Sequence, residues 1–201
     1  MLDLLINWFK ENNIFVAPDE FELLKQHTYH AVIPKNTIIM QQGRAVEKLY
    51  FINSGLVRLC RQHGDDGTTI AFIKENEFAS TIIYLLNQVP SPCALETCTD
   101  LEVLYWERSD IVYLKEHTAL GNHLETALTE ILLTWLQDRE VDKLSLDPEK
   151  RYKKLIRTMP AGLQQVPAKH IASYLGIHTD SLSRIRKRLN KRIDNCQFLP
   201  R

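Results

Sequence analysis

The sequence predicts an α+β fold: a sandwich or barrel of short strands, then one long helix, then a compact helical segment. Three observations predict it. Between residues 31 and 106 the chain breaks into short β-branched runs separated by turn residues. From Leu120 to Leu136 apolar residues recur at steps of three and four. The charge is split along the chain: residues 1–148 carry 12 Lys and Arg against 22 Asp and Glu, net −10, and residues 149–201 carry 13 against 3, net +10. An acidic body with a basic end is two electrostatic objects in one neutral chain, and the basic one suits a polyanion.

In chain order, Leu4, Leu5, Trp8 and Phe9 mark a short amphipathic helix, and a second lies near 20–26. Strands follow at 31–33, 37–40, 48–52, 56–60 and 68–73, parted by Pro34-Lys35-Asn36, Gly43, Asn53-Ser54-Gly55 and Gly64-Asp65-Asp66-Gly67. A short helix fits 81–86, two more strands fit 93–97 and 101–106, and a helix fits 109–116. The long helix is expected over 122–144. Its stripe is wide enough to cover the β domain and to meet a second copy, so Leu124, Leu128, Ile131 and Trp135 are the candidate dimerisation residues. Asp147 can cap the next helix, Pro148 suits its first position and Glu149 suits its positive end; Pro160 and Gly162 break it.

Residues 166–189 read VPAKHIASYLGIHTDSLSRIRKRL. Ile171, Ala172 and Leu175 form one face of a short helix. Gly176 ends it, because the next step needs a conformation that a side chain resists. Leu182, Ile185 and Leu189 then share a face of a second helix. Two short helices across a tight glycine corner, at the basic pole, form a helix-turn-helix whose second helix enters a DNA major groove. Its opposite face offers Thr179, Asp180, Ser183 and Arg184 for base readout. Arginine matches O6 and N7 of guanine, and a carboxylate accepts from the cytosine amino group. Lys169, His170, Arg186, Lys187, Arg188, Lys191 and Arg192 are candidates for phosphate.

Other classes find less support. The segment MLDLLINWFKENN lacks the basic n-region of a secretory signal, and no run reaches the roughly 18 apolar residues of a membrane span, so a soluble cytoplasmic protein is expected. Cys60, Cys93, Cys98 and Cys196 show no metal spacing; a Cys93–Cys98 redox pair is less expected than two packed thiols. His27 and His30 are the only close histidines and no carboxylate cluster supports them, so no metal or cofactor is expected. No catalytic triad, metal or phosphate-loop signature stands at useful spacing, so no enzyme is expected. The alternative to a DNA reader is a sensor or scaffold whose basic end meets a protein partner; RNA binding lacks the usual aromatic platforms.

The stretch AKHIASYLGIHTDSLSRIRKRL resembles the helix-turn-helix of the Crp-Fnr regulators, with the acidic Asp180, the triplet Ser181-Leu182-Ser183 and Arg184 in the family's order. Gly43, Tyr50-Phe51 and Ser54-Gly55 resemble the family's cyclic-nucleotide-binding β-roll. The resemblance implies a jelly-roll-like sensor domain over 1–118, a dimerisation helix over 119–146 and a winged-helix-like DNA-binding domain over 147–201. It also implies double-stranded DNA, a second copy of the chain and RNA polymerase as partners. The chain departs from the family in the nucleotide pocket. Ala79-Ser80-Thr81 stands where Gly-Glu is expected and Ser91-Pro92-Cys93 where the arginine is expected; no arginine lies between Arg61 and Arg108. Pro90 and Pro92 also remove amide donors that a cyclic phosphate could use. The expectation is therefore no control by cAMP or cGMP, with the effector open between a small apolar ligand and none. Only KRIDNCQFLPR follows Asn190, so the wing is expected to be reduced or absent.

Overall fold

The computed structural model describes residues 2–63, 66–159 and 162–197, with the side chains of 66 and 191–197 excepted. Helices α1 (Asp3–Glu11) and α2 (Pro18–Gln26) precede an antiparallel sandwich of eight strands: β1 (Tyr29–Ile33), β2 (Ile38–Met40), β3 (Lys48–Ser54), β4 (Leu56–His63), β5 (Asp66–Lys74), β6 (Phe78–Ala79), β7 (Ala94–Thr97) and β8 (Leu101–Glu107). One sheet runs β1-β8-β3-β6 and the other β2-β7-β4-β5. Helix α3 (Ile82–Asn87) interrupts the strands, and α4 (Arg108–His117) follows them. The mixed α+β architecture and jelly-roll-like sandwich agree with the expected fold class. The two-residue strand β6 was not expected, because so short a run carries no periodicity.

Alternation along the strands decides what each sheet faces. Trp106, Phe51 and Leu49 pack with α1 and α2 residues such as Leu5, Trp8 and Leu24, while Val103, Ile52, Val57 and Leu95 join the same buried cluster. Tyr50 on β3 reaches across the sandwich, and its hydroxyl donates to the Ile39 carbonyl on β2 at 3.2 Å. Burial, and then Glu107, push its phenol up to about 12, so it stays a neutral donor.

Helix α5 (Ala119–Ser145) starts three residues before the expected position, because Thr118 caps it by accepting from the Gly121 amide at 3.1 Å. Glu20 holds its first turn to α2: one carboxylate oxygen accepts from Ala17 and the other from Leu120. A Cβ on Gly121 would stand 2.6 Å from the Lys115 nitrogen, so α4 and α5 meet there backbone to backbone.

The expected dimer stripe divides on the structure. Leu124 and Leu128 are only 8% exposed and belong to the core of their own chain, which leaves little of either for a second copy. At 100° per residue, Leu120, Leu124 and Leu128 fall on one side of α5, and Leu133, Leu136 and Leu144 fall on the opposite side. These last three are 59%, 43% and 82% exposed. Ile131 is also exposed, and Trp135, half-buried, carries the Arg139 guanidinium 5.5 Å from its ring centroid.

Beyond α5, α6 (Pro148–Thr158) is capped by Asp147, whose carboxylate accepts from the Lys150 amide at 2.8 Å. Backbone hydrogen bonds hold the Asp147 carboxyl below the usual range. A 3-10 turn (Gly162–Gln165), α7 (Ala168–Leu175) and α8 (Thr179–Gln197) complete the chain. Helix α8 runs eight residues past Leu189, and the residues after Gln197, on which the expected reduction of the wing also bears, lie outside the described residues.

Cys93 and Cys98 bracket β7 as buried free thiols. The four extended residues between them hold them more than about 13 Å apart, whereas a disulfide needs Cα atoms within about 7 Å. Burial raises the Cys98 thiol to about 12. They are packing residues.

Candidate nucleic-acid interface

The site is built on the corner between α7 and α8. Gly176 sits at φ +68°, in the left-handed region, and its amide donates to the Ser173 carbonyl while that of Ile177 donates to Ala172, both at 3.0 Å. Ala172 is small and buried at this crossing. Ile171, Leu175, Leu182 and Ile185 fill one cluster with Tyr152 and Leu155 of α6, and Leu189 packs against it. The three helices therefore share one core, which Leu56, Phe72 and Cys98 of the sandwich also join, and it fixes the roll of α8.

With that side buried, the other side of α8 is set. Thr179, Asp180, Ser183, Arg184 and Lys187 are all exposed. Asp180, Arg184 and Lys187 lie within an arc of about 60° of the helix, opposite Leu182, Ile185 and Leu189. No ion pair joins Asp180 to Arg184 among the described residues, so both can reach outward. At its N-terminal turn the helix also presents its positive end. Lys169 is exposed at the start of α7.

Three phosphate candidates are placed differently from the expectation. Arg186 is half-buried; its Nε donates to the Tyr152 hydroxyl at 2.9 Å and its guanidinium stands 5.7 Å from that ring centroid. Arg188 pairs with Glu149 at 3.1 Å, and Lys153 pairs with the same carboxylate at 3.1 Å. These bonds hold the Glu149 carboxyl below its usual range. Arg186 and Arg188 thus straddle α6 and lock α8 onto it. His170 turns toward Arg58 and Glu96 of the sandwich; burial first, then the Arg58 charge, lowers it to about 4. A neutral imidazole at pH 7 has no charge to give a phosphate. In the sequence all three read as basic residues near a recognition helix; their partners lie 34 to 112 residues away, beyond the reach of local pattern. Lys191 and Arg192 continue α8 as backbone, but their side chains lie outside the described residues.

Among the described residues no group of His, Cys, Asp and Glu is placed to hold a metal ion, and no helix is long and apolar enough to cross a membrane.

Comparison with known proteins agrees with this architecture. Residues 31–117 match the cyclic nucleotide-binding domain family. The chain is similar to the cyclic AMP receptor protein of Thermus thermophilus, with 27% identity over 176 residues, covering 85% of this chain and 81% of the relative. The crystal structure of the Thermus thermophilus catabolite activator protein shares the fold at TM-score 0.52 and 23% identity, covering 88% of this chain and 84% of that one. FixK2 from Bradyrhizobium japonicum shares it at TM-score 0.69 and 18% identity, covering 82% and 85%. The c-di-GMP-responsive regulator CLP of Xanthomonas campestris does so at TM-score 0.66 and 18% identity, covering 88% and 93%.

Proposed function

We propose that this chain is a Crp-Fnr-type transcription regulator that binds an inverted-repeat DNA site as a homodimer. The observation that carries the reading is the division of α8: one side is buried against α6 and α7, and the other presents Thr179, Asp180, Ser183, Arg184 and Lys187 together at the basic end of an acidic protein. That is the form a recognition helix takes in the major groove, with the remaining cations holding the backbone. On this reading the protein acts in the cytoplasm, and RNA polymerase is its proposed protein partner. Selection from random duplexes tests the whole reading. The expected product has two inverted half-sites with centres about 34 Å, one helical turn, or a multiple of it apart. Recovery of direct repeats, or retention with no common sequence, overturns it.

The sandwich works here without cAMP or cGMP. A cyclic phosphate buried between the sheets needs a cation or a nest of free amides. Arg58, on the interior strand β4, alternates with the core residues Val57 and Leu59, so it lies on the outer side of its sheet, and it is committed to Glu96 at 2.6 Å. Ser91 is buried, but its hydroxyl accepts from the Cys93 amide at 3.2 Å. Thr81, at the start of α3, turns its hydroxyl to the Met40 sulfur. Tyr50 spans the space between the sheets. Isothermal titration with either nucleotide is therefore expected to give no heat at micromolar concentrations. Saturable micromolar binding contradicts it.

A further inference from the structure

We infer that the outer face of the β2-β7-β4-β5 sheet is a dock for α7, and that the docked position is the DNA-competent one; the second part rests on the DNA-binding reading above. Strand β5 is the last strand of its sheet, so part of its backbone has no strand neighbour. Ser173 of α7 takes that place with a single hydroxyl. Its Oγ accepts from the Thr69 amide at 3.0 Å and donates to the Gly67 carbonyl at 3.3 Å. Apolar contact surrounds this bond. The Phe72 and Tyr174 ring centroids are 5.4 Å apart. Leu56 and Cys98 of the sandwich join one buried cluster with Leu163, Val166 and Ile171 of the C-terminal segment. Beside His170 lies a part-buried ion pair: Arg58 reaches Glu96 through Nη2 at 2.6 Å and through Nε at 3.0 Å, and Nη1 donates to Thr69 at 3.3 Å.

Two features give the dock a function. The contact uses α7 and the 3-10 turn and leaves the reading face of α8 exposed, so a docked domain can meet DNA without coming loose. A contact built to keep the protein off DNA would cover that face. Strand alternation also makes β4 and β5 short conductors. Leu59 and Ile73 pack into the sandwich core, and their immediate neighbours Arg58 and Phe72 face the docked segment. A change of packing inside the sandwich reaches α7 across one strand, without passing along α5.

The test uses the full chain and Ser173→Ala, a substitution on the docked side of α7 that removes one hydroxyl and leaves α8 untouched. Hydrogen exchange of the β5 peptide reports the dock, and fluorescence anisotropy with the selected duplex reports the coupling. Exchange at the Thr69 amide is expected to speed up about tenfold, and DNA affinity to fall about threefold to tenfold with the salt slope unchanged. Unchanged exchange overturns the dock. Faster exchange with equal or tighter DNA binding overturns the competent assignment. A wild-type chain that protects Thr69 but retains no duplex sinks the DNA-binding reading and the coupling together, while the dock itself stands.

Discussion

A chain carrying Leu133→Glu and Leu144→Glu is expected to sediment as a monomer and to lose about a hundredfold or more in affinity for an inverted-repeat duplex. Leu133, Leu136 and Leu144 lie along the side of α5 that faces away from its own core. An apolar stripe on an otherwise charged helix is a surface waiting for a partner, and a second copy of the same helix supplies a matching one by two-fold symmetry. Each leucine removed from water contributes about 1.5 to 3 kcal/mol, and symmetry doubles the count. Glutamates in their place lose that burial and add like charges across the axis. DNA affinity falls with it, because two linked reading heads gain about two to four orders of magnitude over one. Leu124→Ala gives the contrast. Its side chain is in the core, so about 2 to 5 kcal/mol of stability should go while the folded fraction remains a dimer. Sedimentation equilibrium on both variants reads the difference. A double glutamate variant that stays dimeric and binds unchanged would place the interface elsewhere.

The faces of α5 bear on how much of the molecule is legible in the sequence. The strands between 31 and 106 were, because β-branched runs bounded by Gly, Pro and Asn carry their own punctuation. The α7–α8 corner was legible for the same reason: Gly176 marks a left-handed turn that its neighbours cannot make. Helix α5 was legible as a helix, but not in which of its sides the chain's own core buries. Leu120, Leu124 and Leu128 form the cleaner periodic stripe, and that regularity marks the side that the sandwich buries. Leu133, Leu136 and Leu144 are more widely spaced and interleaved with Glu140, so the pattern is weaker although the surface is more open. The basic residues mislead in a related way. Composition counts Arg186, Arg188 and His170 as charges for DNA, but Tyr152, Glu149 and Arg58 decide where they point. Side-chain partners across the fold carry no local signature. The dock at Ser173 was invisible on the same ground, since a serine in the middle of a helix reads as filler.

Arg184→Ala should separate reading from holding. Arg184 and Asp180 are one helical turn apart on the exposed side of α8, with the first turn of the helix directed outward. A guanidinium there can give two parallel hydrogen bonds to one guanine, and an alanine gives none. The expected loss is about 1 to 3 kcal/mol on the preferred duplex, roughly fivefold to 150-fold. On a duplex changed at that guanine in both half-sites the loss should be far smaller, because the contact was already missing. Lys187→Ala should behave differently. A lysine on phosphate weakens every duplex alike and lowers the slope of log affinity against log salt by about 0.9. The paired Arg188 should contribute less than Lys187, since leaving Glu149 offsets what a phosphate returns. Gel-shift titrations of the variants on matched and changed duplexes, at several salt concentrations, give all of these quantities. If Arg184→Ala weakens the two duplexes equally, Arg184 holds the backbone, and base choice passes to Asp180, Ser183 and Thr179.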